Sequence, residues 1–273
     1  MKKEIKSIIC ISDTHFGCRM GLCPPEGAPL DGGGTYSPSR PQRVVWEWWR
    51  EFWQKWVPMV TEGQPYSVVH NGDVIDGSHH NSTTQISHDL EDQGNMAVAA
   101  LEPIVANCES YYSVRGTEAH VGQSGVEEER IAKRLGAVKN KYGQSARFDL
   151  WLSLGAHRIH FLHHVGTTGS SAHESSAVNA ELTAEFVEAA RWGTKPPSCI
   201  VRSHRHSHIE VRIPTGWGSA TATVTPGWQL KTPFAYRIAG ARLKPPQFGG
   251  LLLRVDKYGE LYTKAFIRSI TQD

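Results

Sequence analysis

The feature that most limits what this chain can fold into is a pattern repeated five times. A short apolar run stops abruptly at an Asp or a His. The first instance is Ile8-Ile9-Cys10-Ile11-Ser12-Asp13-Thr14-His15. Four consecutive apolar residues read as a strand buried on both faces, as in the middle of a parallel sheet. With a side-chain period of two, Asp13 and His15 can point the same way as the chain leaves the sheet. In open α/β sheets ligands bind at the carboxyl ends of the strands, and mixed oxygen and nitrogen donors suit a transition-metal ion. The same plot recurs at Tyr66–Asn71 into Gly72-Asp73-Val74-Ile75-Asp76, and at Tyr111–Val114 into Arg115-Gly116-Thr117-Glu118-Ala119-His120. It returns at the end of Arg158–His163, followed by His164, and at Cys199–Val201 into Ser203-His204-Arg205-His206. One such residue is more often a cap or a solvated side chain than a ligand. Five in succession are hard to obtain by accident.

The segments between these strands carry helix signals. Pro41 opens a helix through Trp56, ended by Pro58, in which Trp46, Trp49, Phe52, Trp53 and Trp56 recur at spacings of three and four. That spacing marks one apolar face, and packing on the sheet is preferred to base stacking or a partner helix. Leu90–Cys108, Glu127–Leu135 (closed by Gly136) and Ala177–Trp192 also read as helices. Phe148–Leu154 and Arg158–His163 alternate around Gly155-Ala156, which predicts an antiparallel hairpin. Period-two stretches at Ile209–Ile213, Ala220–Val224, Leu251–Val255 and Leu261–Ile267 complete the strands. Cys18–Arg40 holds Gly32-Gly33-Gly34 and prolines 24, 25, 29 and 38. Regular structure is not expected there, and the stretch reads either as a lid over the site or as a surface insertion. No internal repeat or linker interrupts the chain, so residues 1–273 are expected to form one α/β domain with an insertion at about 18–40.

Composition adds exclusions more than assignments. Lys plus Arg number 29 against 27 Asp plus Glu, for a formal net charge of +2. That balance neither requires nor excludes nucleic acid, and Arg237, Arg242, Lys244 and Arg254 are too scattered to form a binding face. No apolar run is long enough to span a bilayer, and the basic start MKKEIKSIIC is too short for a signal peptide. The five cysteines, with Cys18 and Cys23 as the one close pair, read as reduced thiols of a cytoplasmic protein, with a Cys18–Cys23 bridge or metal clip as the alternative.

The ordered set of strand ends resembles the motif series of the calcineurin-like metallophosphoesterase superfamily: D-x-H, G-D-x-x-D, G-N-H-[DE], a lone His and G-H-x-H. Here these read Asp13-Thr14-His15, Gly72–Asp76, Gly116-Thr117-Glu118, His163 and Ser203–His206, in the same order. The resemblance covers residues 8 to about 208 and implies a four-layer α/β/β/α sandwich of mixed sheets. It also implies two divalent transition-metal ions, Mn foremost, with Fe, Zn or Ni open. On that pattern Asp73 bridges the ions, Asp13, His15 and His206 hold one, and His163 and His204 hold the other, with His164 as the alternative to His163. Two departures stand out. Ser203 replaces a Gly, and the family's Asn and His fall on Thr117 and Glu118. The expectation is that Glu118 supplies an anionic oxygen ligand in place of, or beside, Thr117, while His120 takes the catalytic place. Asp76 is expected to buttress its loop, and Arg115, His79, His80 and Arg205 are candidates for gripping the non-reacting phosphate oxygens.

The resemblance therefore implies a metal-dependent phosphoester hydrolase, with diesters favoured over monoesters, in which a hydroxide between two metals attacks phosphorus in line. A nucleotide or nucleic acid is among the expected substrates, and no membrane partner is expected. An SbcD-type DNA nuclease is the first alternative. The second is a non-catalytic scaffold on the same fold, as in a retromer subunit. The stretch Thr225–Phe234 either shapes the pocket beside His206 or closes the sheet, and the oligomeric state is left open.

Overall fold

A computed structural model of the chain describes residues 5–79, 82–122, 124–166, 171–237 and 244–270. Its elements run β1 (Ser7–Ile11), β2 (Ala28–Pro29), β3 (Thr35–Tyr36), α1 (Arg40–Glu51), a π-helical turn Phe52–Trp56, α2 (Val57–Thr61), β4 (Ser67–Asn71), α3 (Leu90–Val105) and β5 (Ser110–Val114). There follow α4 (Glu118–Val121), α5 (Val126–Arg134), β6 (Ala146–Arg147), β7 (Leu150–Leu154), β8 (His157–Phe161), α6 (Glu174–Arg191) and β9 (Cys199–Arg202). The chain ends through β10 (Ile209–Thr215), β11 (Gly218–Val224), α7 (Pro233–Arg237), β12 (Gln247–Val255) and β13 (Leu261–Ser269).

Two mixed sheets carry the fold. One has the order β13-β12-β1-β4-β5-β6, and the other β10-β11-β9-β8-β7. Strands β1, β4, β5 and β6 are parallel neighbours, as are β8, β9 and β11. The period of two along β1 sorts its side chains between two cores. Ile9 and Ile11 face Val45, Trp49, Phe52, Met96, Leu101 and Ile131 of the helices. Ile8 and Cys10 face Leu150, Ile159, Phe161, Cys199 and Val201 of the other sheet. A third cluster joins Ile200, Ala220, Ala222 and Val224 to Val178 and Leu182 of α6. Helices, sheet, sheet, helix is thus the layer order, a four-layer α/β/β/α sandwich.

The aromatic face of α1 and the turn after it is a core surface. Trp49 and Phe52 lie edge-on to the fully buried Trp228 at centroid distances of 4.8 and 5.7 Å, and Trp56 meets Phe266 at 5.7 Å. Pro58 does not end this helix. The Val57 N–H bonds to the Phe52 carbonyl across a widened turn, so Pro58 falls at the start of α2, where its missing N–H costs nothing. The helix stops instead after Thr61, where Glu62 adopts φ 55°. The insertion also departs from expectation, because β2 and β3 form a small hairpin. Its first half is pinned from α1: Gln42 Nε2 donates to the Cys18 and Gly21 carbonyls at 3.2 and 3.0 Å. The tip, Asp31–Thr35, is exposed, while Gly21, Leu22, Cys23 and Ala28 are buried. All five cysteines are free thiols, so no Cys18–Cys23 bridge forms.

Candidate metal centre

The five motif segments leave the carboxyl ends of β1, β4, β5, β8 and β9, and the twist and order of the two sheets bring those ends to one edge. The backbone there is strained. Among the described residues, six other than glycine adopt positive φ, and five of them are Asp13 (53°), His15 (43°), Asp73 (56°), His204 (70°) and His206 (48°). Each such residue costs about 1–2 kcal/mol, and such strain persists where surrounding structure over-determines it, typically at functional sites.

Among the described residues four groups have ligand atoms within 4.8 Å of one another; two of them are Asp13, His15 and His206, and Asp73, His163 and His204. Asp13 Oδ1 lies 3.1 Å from His206 Nε2 and 3.9 Å from His163 Nε2. Asp73 Oδ2 lies 3.0 Å from His163 Nε2 and 4.0 Å from both His15 Nε2 and His204 Nδ1. The other oxygen of each carboxylate is already held. Asp13 Oδ2 accepts from Ser12 Oγ (2.5 Å) and the His204 N–H (3.3 Å). Asp73 Oδ1 accepts from the Thr117 N–H (2.7 Å) and Oγ1 (3.0 Å). His163 Nδ1 lies 2.7 Å from the Asn71 carbonyl, which can only accept, so Nδ1 keeps its proton and Nε2 is the nitrogen that a cation would take in place of a proton. Asp13 Oδ1 and His163 Nε2 are buried and find no hydrogen-bond partner. Orphaned donor atoms aimed at one another are costly without a cation between them, and this donor set fits divalent transition metals.

Electrostatics agree. Burial alone would raise the Asp13 carboxyl, but the His206 and His163 imidazoles hold it well below the usual carboxylate range. Burial opposes the charge of Asp73 too, and His163 and His120 overcome it. Burial disfavours protonated His163, yet Asp73 and Asp13 push its pKa up to about 10. Two glycines are required by close approach: a Cβ on Gly116 would sit 2.0 Å from Asp73 Oδ1, and one on Gly72 2.3 Å from His163 Nδ1.

The remaining candidates fall in different places. His164 is exposed and joins neither group, its ring lying 5.3 Å from that of His163. Thr117 spends its N–H and hydroxyl on Asp73. Glu118 is exposed at the start of α4 and outside every cluster of potential ligands among the described residues. The reason is local: Thr117 is the N-cap of α4, and the helix turns the next side chain away from Asp73. His120, two residues on, returns inward and groups with His15 and Asp73. Its ring meets His15 edge-on at 4.5 Å, and its Nδ1 contacts the Asp76 carbonyl at 2.6 Å. Burial, with His15 beside it, lowers the His120 pKa to about 4. His79 lies 3.5 Å from the Asp76 carboxylate, and His80 falls outside the described residues. The phosphate-gripping arginines are otherwise engaged. Arg115 donates to the Ala146 and Ser124 carbonyls, pairs with Glu129 and lies over the Phe148 ring. Arg205 donates to the Gly166 and Glu174 carbonyls.

Of the residues that brace this centre, Asp76 and the 225–229 stretch are marked by the sequence and Glu128 is not. Glu128 of α5 is fully buried and accepts from the Gly116 N–H (2.6 Å) and the Val74 N–H (3.1 Å), clipping together the loops that carry Thr117 and Asp73. Burial, then Asp73, push its pKa up to about 8. The signal was present: Glu128 shares a helical face with the buried Ile131 and Ala132. Asp76 accepts from Gln85 (2.8 Å) and Gln229 (3.3 Å). The 225–229 stretch buttresses the centre: the Thr225 hydroxyl donates to Ser203 and lies 2.6 Å from that of Ser12, while the Trp228 N–H bonds to the Asp13 carbonyl.

No family profile and no curated protein sequence matches this chain. Solved structures similar to it include Vps29 of Chaetomium thermophilum, at 12% identity over 99% of this chain and 100% of that one, with a TM-score of 0.41. A metallophosphoesterase from Sphaerobacter thermophilus aligns at 10% identity over 98% and 89% of the two chains, TM-score 0.39. The sulfate thiohydrolase SoxB of Thermus thermophilus aligns at 12% over 99% and 57%, TM-score 0.37. At these scores the likeness carries no argument by itself, and the functional reading rests on the site. No described helix is long and apolar enough to cross a membrane.

Proposed function

We propose that this chain is a metal-dependent phosphoester hydrolase that prefers diesters to monoesters. The observation that carries the reading is the meeting of two three-ligand groups at strained strand ends, with Asp13 Oδ1 and His163 Nε2 buried and unpartnered between them. Asp13, His15 and His206 would hold one cation and His163 and His204 the other, with Asp73 within reach of both groups. Two bound cations would supply Lewis acidity at phosphorus and lower the pKa of water. Thr117 acts on Asp73 rather than as a ligand, its N–H donating to Oδ1 and its hydroxyl lying 3.0 and 3.2 Å from Oδ1 and Oδ2. His120 has its Nδ1 engaged by the Asp76 carbonyl and is neutral near pH 7, so Nε2 is free to take a proton from attacking water and return it to the leaving oxygen.

Manganese is the first metal to try, since donor sets of this kind select their metal by availability as well as affinity. Mn²⁺-stimulated hydrolysis of bis-p-nitrophenyl phosphate is the assay. Asp73→Asn is expected to remove it, together with bound metal. A fully active Asp73→Asn protein defeats the reading.

A further inference from the structure

A cleft of about 480 Å³ opens against the His163 side of the centre, lined by Arg115, Gly116, Glu118, Phe148, Leu162, His163 and His164. Its volume suits a drug-sized or nucleotide-sized group. Because His163 belongs both to the cleft wall and to the ligand group with Asp73 and His204, a phosphate held at the centre projects one ester substituent into this space. The walls say what that substituent is. Phe148 is 61% exposed, an unusual position for a Phe that buries no core. Its inner face is backed by the Arg115 guanidinium, 4.8 Å from the ring centroid. Arg115 is fixed in turn by the Ser124 carbonyl (2.8 Å), the Ala146 carbonyl (3.2 Å) and Glu129 (3.6 Å). The ring is therefore pre-oriented with its outer face open.

The charge pattern argues against a second phosphate. The one guanidinium among the cleft residues is spent on carbonyls and Glu129, and the Glu118 carboxylate repels anions. A planar, uncharged group that stacks on an aromatic face and offers N–H donors to a carboxylate satisfies all of these walls. A nucleobase has that chemistry.

We propose that this cleft is a base-binding subsite and that the substrate is a nucleotide phosphodiester whose base stacks on Phe148, an inference that rests on the phosphoesterase reading for its phosphate end. The test is calorimetric binding of 2′-deoxyadenosine 5′-phosphate and of 2-deoxyribose 5-phosphate to the full-length, Mn²⁺-loaded protein. The two ligands share sugar and phosphate and differ in the base. Wild type is expected to bind the base-bearing ligand about tenfold more tightly, Phe148→Leu to abolish that preference and Phe148→Trp to keep it, because stacking needs a ring rather than mere apolarity. Metal analysis of Phe148→Leu, expected to retain bound Mn²⁺, separates loss of stacking from loss of the fold. Equal binding of the two ligands by wild type, or a preference that survives Phe148→Leu, overturns the subsite. Base-dependent binding without diester turnover supports the subsite and removes the hydrolase reading. Turnover without base preference does the reverse.

Discussion

The two halves of the candidate centre are built from the same residue types and differ in how they are enclosed. The Asp13–His15–His206 half is roofed by the chain itself: Gly227 packs so closely that a Cβ there would lie 3.0 Å from His206 Cγ and 3.2 Å from Asp13 Cβ. The His206 side chain is 24% exposed. The Asp73–His163–His204 half faces the cleft, and its His204 side chain is 45% exposed. In the first half His15 lies within 4.0 Å of three carboxylates, those of Asp13, Asp73 and Asp76, and His206 lies 3.1 Å from Asp13. The second relies on Thr117, whose hydroxyl is committed to Asp73. On the proposed function the enclosed side would be the anchor and the open side the exchangeable, substrate-facing position.

His206→Ala and His204→Ala test that difference most severely. Loss of a ligand from the enclosed half is expected to lower Mn²⁺ affinity by about a hundredfold or more, and loss from the open half by about tenfold, since water can replace an exposed imidazole. Titration of each apoprotein with Mn²⁺ measures this. Equal losses in both variants erase the distinction.

Protons provide the next test. In the metal-free protein the folded pKa of His163 stands at about 10, above its ordinary value near 6.5. A raised folded pKa contributes stability that is fully present below pH 6.5 and is lost as pH rises toward 10. The metal-free protein should therefore lose thermal stability across that window. Binding a cation displaces the same proton, so Mn²⁺ affinity should rise by up to about tenfold per pH unit until pH 10. Melting temperatures with and without Mn²⁺ at pH 6.5, 8 and 9.5 read both effects. Parallel curves would show that His163 is not a ligand.

How much of this was legible in the chain follows from the range of the interactions. Strands β1, β4 and β9 announced themselves because a strand buried on both faces needs a continuous apolar run and a ligand-bearing loop an abrupt end to it, while β8 showed through its alternation with β7 around Gly155-Ala156. Pro58 misled because the turn before it widens, a matter of which carbonyl Val57 chooses. Glu128 was hidden for another reason: its partners are backbone N–H groups of Val74 and Gly116, which every sequence offers equally. The same holds for Trp228 and the Asp13 carbonyl.

Glu128→Gln follows from that contact and is expected to be a smaller perturbation than loss of a ligand. Gln has one acceptor oxygen where Glu128 uses two, so one of the Gly116 and Val74 N–H groups loses its bond and faces an NH₂ donor instead. An unsatisfied buried donor costs about 1–3 kcal/mol. The strain falls between the Thr117 loop and the Asp73 loop, so Mn²⁺ affinity at the open half should fall by about tenfold while the enclosed half keeps its ion. Metal stoichiometry and the melting temperature of the Mn²⁺-free protein distinguish this from general unfolding. Loss of both ions together would make Glu128 a fold residue and nothing more.

The smallest expected effect sits where the chain departs from the motif series it otherwise follows. Glu118 was expected to replace the missing Asn as an oxygen ligand. As the exposed first residue of α4, its carboxylate lies on the cleft wall instead. Glu118→Ala should therefore leave metal content unchanged and alter turnover of a small diester by no more than about twofold, as for most exposed substitutions. His120→Ala, two residues further on, should keep the metal and lower turnover by about a hundredfold, the usual worth of a positioned proton carrier. The pair separates the open half's two unusual residues by function: one faces the substrate cleft, the other the cations. Metal loss in Glu118→Ala would return that carboxylate to the ligand set and make the open half as tightly built as the enclosed one.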